Sequence, residues 1–114
     1  KFIKMAKIHE KFLIFIDGAD DAAMYPVSNL QSCTLASNGA LIMKFAPGSL
    51  GEGQAGSIDI VTLTITADTE KTVMQAIANA CADAYSDASI VVCDDVNSIF
   101  LHADILSCAV TLDA

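Results

Sequence analysis

Only one stretch of this chain carries the apolar spacing of a helix, residues 68–84 (DTEKTVMQAIANACADA), and strand-like runs flank it on both sides. Val73, Met74, Ile77, Cys81 and Ala84 with Tyr85 recur at three-and-four spacing, while Lys71, Gln75, Asn79 and Asp83 share the opposite side. An apolar helix face needs a surface to cover. Thr66 or Asp68 is placed to accept hydrogen bonds from the first free helix amides, and Asp68 with Glu70 puts negative charge at the positive end of the helix dipole. The expectation is therefore a mainly β protein with one α-helix packed on a mostly antiparallel sheet or small barrel.

The strands are read from branched and aromatic runs bounded by turn residues. Residues 11–17 (KFLIFID) form the first and end at Asp17-Gly18; residues 19–24 read as a loop, and Pro26 delays the next strand to Tyr25 or later. Residues 27–36 and 41–46 flank Asn38-Gly39, a strong hairpin signal whose favoured turn sets both central residues at positive φ. Residues 47–57 hold four of the six glycines and read as a long connection. A phosphate cradle does not fit there, because the stretch has no lysine and leads into a strand rather than a helix N-terminus. In residues 57–66 (SIDIVTLTIT) the apolar phase slips near Ile60, which predicts a bulge or burial on both faces, as a small, strongly bent barrel requires. After the helix, residues 90–93 and 98–102 form a hairpin about the turn at 94–97. Leu106, Cys108, Val110 and Leu112 then alternate with polar or small residues in a closing strand.

At 114 residues the chain is expected to form a single domain, with residues 1–10 as a mobile arm. Met5-Ala6-Lys7 has the form of a translation start, which would make residues 1–4 an extension outside the natural chain. Apolar residues make up 54% against 18% charged, an excess that points to an interface between subunits. Residues 57–66 and 106–112 lack a central lysine or proline to guard a strand edge, which again predicts a homo-oligomer.

The net charge is -8, with no arginine, and this disfavours nucleic acid as a partner. Any phosphate contact would fall to Lys7 and Lys11 of the arm, Lys44 on its strand and Lys71 on the helix. The apolar run at 12–16 is too short to span a membrane and lacks a signal-peptide cleavage site, so no membrane partner and a cytosolic setting are expected. Cys33, Cys81, Cys93 and Cys108 show no paired spacing and no histidine at zinc-ligand distance, and read as buried free thiols. His9 and His102 have no nucleophile motif beside them, and His102 reads as structural. The aspartates at 17, 20 and 21 and at 94 and 95 match no calcium-loop pattern. Elimination leaves a non-enzymatic protein with no catalytic residues, no cofactor and no metal expected.

The order of YPVSNLQSCTLA, the Asn38-Gly39 hairpin, DIVTLTIT running straight into ADTEKTVMQAIANACADA, and a closing pair of strands resembles small proteins of marine metagenomes and cyanophages, over most of residues 11–114. Proteins of that group have been compared with the Sm-like fold, a bent barrel that forms rings by strand addition. The resemblance implies a phage-type structural or assembly accessory protein, at work in the cytoplasm of an infected host or in the virion, with virion proteins as possible partners. The alternative it implies is an Sm-like nucleic-acid-binding ring. The residue pairs with which Sm proteins read uridine-rich RNA are absent here, and the helix follows the strands it should precede.

Overall fold

A computed structural model describes residues 11–19, 21–46, 58–83 and 88–112. They form eight strands and one helix: β1 (Phe12–Gly18), β2 (Asp21–Pro26), β3 (Leu30–Ser37), β4 (Ala40–Phe45), β5 (Asp59–Ile65), α1 (Glu70–Ala82), β6 (Ser89–Asp94), β7 (Ile99–Phe100) and β8 (Ile105–Thr111). The protein is thus mainly β with one helix. Its strands make two four-stranded sheets, in the orders β2-β1-β6-β7 and β3-β4-β5-β8. The pairing is mostly antiparallel, as expected, and the exception is β1, which pairs with β6 in parallel. No ladder closes the two sheets into one barrel among the described residues.

The chain first passes from one sheet to the other between β2 and β3. Residues 19–24, expected as a loop, instead contain most of β2, which folds back on β1. Pro26 ends β2 because it cannot donate to a ladder, and a single 3-10 turn (Val27–Asn29) swings the chain into β3 in the other sheet. The Val27 N–H to Lys11 C=O bond (2.8 Å) and the Ala46 N–H to Asn29 C=O bond (2.9 Å) pin this corner to both sheets.

The core lies between the sheets and under the helix, with Leu13, Phe15, Leu41, Met43, Phe45, Val61, Leu63, Val73, Val92 and Cys93 wholly shielded from solvent. Its largest feature is an aromatic group: the Tyr25 ring stacks on Phe45 with centroids 4.3 Å apart, and Phe15 meets Phe45 edge-on at 5.7 Å. Helix α1 buries Val73 and Ile77 against this core, on the face read from the sequence.

The apolar slip at Ile60 has a different cause from the one expected. β5 alternates without a bulge against β4, and Asp59 takes the inward position that the pattern assigned to an apolar residue. The Tyr25 hydroxyl donates to its carboxylate at 2.8 Å, so the buried charge has a strong partner. A bulge does occur in this sheet, but on β8: Thr64 pairs with Ser107 and Ile65 with Ile105, leaving Leu106 as the extra residue. The bulge reverses the phase at that point, so Leu106, expected inward, faces solvent.

The β3–β4 turn also departs from expectation. Gly39 has φ of +91°, but Asn38 is not among the residues at positive φ, so the turn has the form that needs glycine only at its second central position. The Asn38 side chain explains this choice. Its Oδ1 accepts the Asp68 N–H at 2.9 Å, and the Gly39 N–H donates to the Glu70 carboxylate at 3.0 Å, docking the hairpin tip on the start of α1. Glu70 is held below its ordinary pKa, chiefly by the Gly39 amide. The helix cap is therefore not the one expected: Thr69 is the N-cap residue and gives no side-chain cap, its hydroxyl donating to the Thr66 C=O instead.

Candidate functional site

Of the four lysines singled out as phosphate contacts, three fall among the described residues, each at a different place in the fold. Lys11 is buried, only 7% exposed, at the foot of β1. Lys44 lies on the outward side of β4 at the end remote from the hairpin tip, while Lys71 stands on α1 beside Glu70, which is bonded to that tip. Lys7 lies outside the described residues, as does the glycine-rich stretch 47–57. Lys71 lines an open polar cleft of about 580 Å³ with Thr72, Gln75, Asn79 and His102. His102, expected in a strand, sits in the turn after β7, where its Nδ1 accepts the Asp104 N–H at 3.1 Å.

A second hollow, of about 410 Å³, is apolar. Met74, Ile77 and Cys81 of α1 form one wall; Val27, Leu30 and Cys33 form the other. Cys33 and Cys81 are thus only partly covered, a correction to the reading of four buried thiols, and burial still holds both above the ordinary thiol pKa.

The densest grouping of reactive side chains lies at the seam between the sheets. Cys93 is the penultimate residue of β6, where a register shift in the pairing with β1 inserts Val92 as an extra residue and leaves Val92 and Cys93 both buried. The chain then turns through residues 94–97, as expected. Asp94 Oδ1 accepts the Val96 and Asn97 N–H groups at 3.1 and 3.0 Å, and Asp94 Oδ2 accepts the Asn97 amide at 3.0 Å. These donors fill the Asp94 carboxylate and hold it below its ordinary pKa, with the Asn97 side chain as the largest cause. The turn is thereby closed by its own bonds.

Asp95 is set by the same turn and by its N–H to the Ile16 C=O (2.9 Å). Its carboxylate accepts the Cys93 thiol at 3.3 Å through Oδ1 and the Cys108 N–H at 3.2 Å through Oδ2. The Cys108 thiol reaches the Ile16 C=O at 3.7 Å. The two sulfurs and a carboxylate oxygen of Asp95 all lie within 4.8 Å of one another. Both thiols are pushed above their ordinary pKa, first by burial; the neighbouring thiol and Asp95 raise Cys93 further. Sequence spacing could not reveal this group, because its members come from β6, the turn after it and β8 in the other sheet, and no pair has a metal-motif interval.

The edges of the sheets form the remaining surface of interest. Each of the four edge strands presents a large exposed hydrophobic side chain: Met24 on β2, Leu35 on β3, Ile99 on β7 and Leu106 on β8. The central strands β1, β4, β5 and β6 present none. Residues 57–66, expected to contribute an unguarded edge, form a central strand instead. No described helix is long and apolar enough to cross a membrane. No protein-family model, curated protein or solved structure matches the chain.

Proposed function

We propose that the chain is a non-enzymatic structural or assembly accessory protein of phage type that associates with further copies of itself through the edges of its two sheets. The observation that carries this reading is the placement of exposed hydrophobic side chains on every edge strand and on no central one. Met24, Leu35, Ile99 and Leu106 are each 51–58% exposed. Covering the exposed half of one such side chain contributes about 1 kcal/mol. A free edge also offers unpaired backbone groups to a neighbouring strand, and none of these four strands carries a lysine to deter it.

In the finer form of the proposal, the two sheets and the corner at Pro26 are the halves of a strongly bent, Sm-like barrel, and edge pairing between copies closes a ring. Virion proteins are its further partners, in the infected cell or in the particle. Light scattering coupled to size exclusion tests the reading, with a closed oligomer of defined mass as the expected result. Ile99→Lys with Leu106→Lys should shift it to smaller species while leaving the circular dichroism spectrum unchanged. A monodisperse wild-type monomer at micromolar concentration overturns the proposal. Fluorescence anisotropy covers the rival class. Salt-dependent, submicromolar binding of short single-stranded RNA or DNA, abolished by Lys7→Ala with Lys11→Ala, would favour a nucleic-acid ring instead.

A further inference from the structure

The geometry points to a binding site for a thiophilic divalent cation of the zinc class, formed by Cys93 Sγ, Cys108 Sγ and the Asp95 carboxylate at the seam of the two sheets. The three ligand atoms already converge within 4.8 Å. A tetrahedral zinc centre has Zn–S bonds of about 2.3 Å and Zn–O bonds of about 2.0–2.2 Å, which place a sulfur and an oxygen ligand roughly 3.5 Å apart. The Cys93 sulfur and Asp95 Oδ1 are 3.3 Å apart, so that edge of the tetrahedron is formed before any ion arrives.

The chemistry of the group selects the ion. Two sulfurs with one carboxylate suit a borderline-soft metal, whereas calcium and magnesium require oxygen on nearly every side. The bonds an ion would displace are weak ones. The Cys93 thiol donates to Asp95 at 3.3 Å and the Cys108 thiol to the Ile16 C=O at 3.7 Å, and S–H is a poor donor. Each thiol gives up its proton to solvent as the metal binds, so two protons are exchanged for one cation. The resulting thiolates and carboxylate carry three negative charges, of which the divalent ion offsets two, removing the obstacle that burial sets against ionised sulfur.

Local structure supports both access and rigidity. Asp95 is partly exposed, which gives an entry route from solvent and leaves a fourth coordination position for water. The two backbone bonds that anchor the group, Asp95 N–H to Ile16 C=O and Cys108 N–H to Asp95 Oδ2, tie β1, β6 and β8 together at this point. A metal here spans the sheet of β6 and the sheet of β8 and clamps them.

Cobalt(II) titration of the reduced, chelator-stripped full chain is the test, since cobalt occupies zinc sites and reports sulfur ligation spectroscopically. The expected result is a sulfur-to-cobalt charge-transfer band that saturates at one ion per chain and is abolished by added zinc. Proton release should accompany it, and zinc should raise the melting temperature. Cys108→Ser should remove the band. Asp95→Asn, a change at a partly exposed residue that keeps the core intact, should weaken binding by at least on the order of tenfold. Cys33→Ser with Cys81→Ser should leave both unchanged. Absence of the band in the reduced wild-type chain overturns the site, as does a band that survives Cys108→Ser or is lost equally in the Cys33 and Cys81 variant. Isolation of the chain with Cys93 and Cys108 joined as a disulfide under reducing expression also overturns it.

Discussion

Tyr25–Asp59 and the Cys93–Asp95–Cys108 group both connect the sheet of β1 to the sheet of β5, and each sets a carboxylate against one donor from the other sheet, the Tyr25 hydroxyl in the first and the Cys108 N–H in the second. They are built from different donors. At the first, a phenol O–H meets the carboxylate at 2.8 Å under a ring stacked on Phe45. At the second, thiols donate at 3.3 and 3.7 Å with the carboxylate partly open to water. A short O–H···O⁻ bond within an aromatic group holds one proton firmly and fixes geometry. Long S–H contacts, one to a solvent-accessible carboxylate and one to the Ile16 C=O, hold protons that a cation can replace. The same architectural task, fastening two sheets, is thus done once by a permanent link and once by an exchangeable one.

The contrast can be broken at either link, and the aromatic one should matter more. Phe45→Ala removes the ring that Tyr25 and Phe15 pack against, and should cost about 3–5 kcal/mol in urea unfolding. Tyr25→Phe keeps the stack and deletes only the hydroxyl, so the expected loss is about 2 kcal/mol, the range for a hydrogen bond to a charged group. A loss below a few tenths would show that Asp59 does not depend on Tyr25. Cys108→Ala, measured in reductant and without metal, should cost about 1 kcal/mol. A cost as large as that of Phe45→Ala would mean that the seam, not the aromatic group, holds the sheets.

Alkaline titration sharpens the comparison. Both thiols and the Tyr25 phenol have pKa values raised in the folded chain, so the native state keeps protons that the unfolded state gives up. Stability from these groups is complete below the ordinary values of 9.0 for the thiols and 10.0 for the phenol, and is lost as the pH rises above them. The urea midpoint should therefore begin to fall near pH 9, where the seam thiols respond together with Cys33 and Cys81, and more steeply above pH 10. Tyr25→Phe should remove the second part and leave the first. At acid pH the smallest effect is expected. Glu70 and Asp94 have depressed pKa values, so their contribution is present above the ordinary 4.5 and 3.8 and is lost as the pH falls through the native values. Glu70→Gln should flatten that decline.

The helix, its buried face and most strands are legible in the sequence because one periodicity dominates each. What escaped is instructive in its causes. Asp59 and Leu106 each reverse the pattern of their strand, the first because a tertiary partner makes an inward carboxylate tolerable and the second because a bulge shifts the phase. β2 opens with Asp21, Ala22 and Ala23, residue types with little intrinsic preference for strands, and owes its conformation to pairing with β1. Asn38 was assigned a local role in its turn but spends its side chain on Asp68. Cys93 and Cys108 meet only because β6 and β8 face one another across the seam, a relation that no interval along the chain encodes.

The parallel pairing of β1 with β6 also sets an order of events for the growing chain. β1 can pair with β2 almost as soon as both have been made, and β3, β4 and β5 can build their meander from neighbours close in sequence. The other side of β1 must wait, since Leu13 finds Ile90 only after the helix and its connections have been synthesised. During translation, and in every refolding event, the most apolar strand of the first sheet stands with one flank open until the last third of the chain arrives. Long-range pairing of this kind slows folding and leaves such a flank available to other chains. The yield of native protein should therefore fall steeply with refolding concentration, and the remedy lies in how quickly residues 89–94 reach β1.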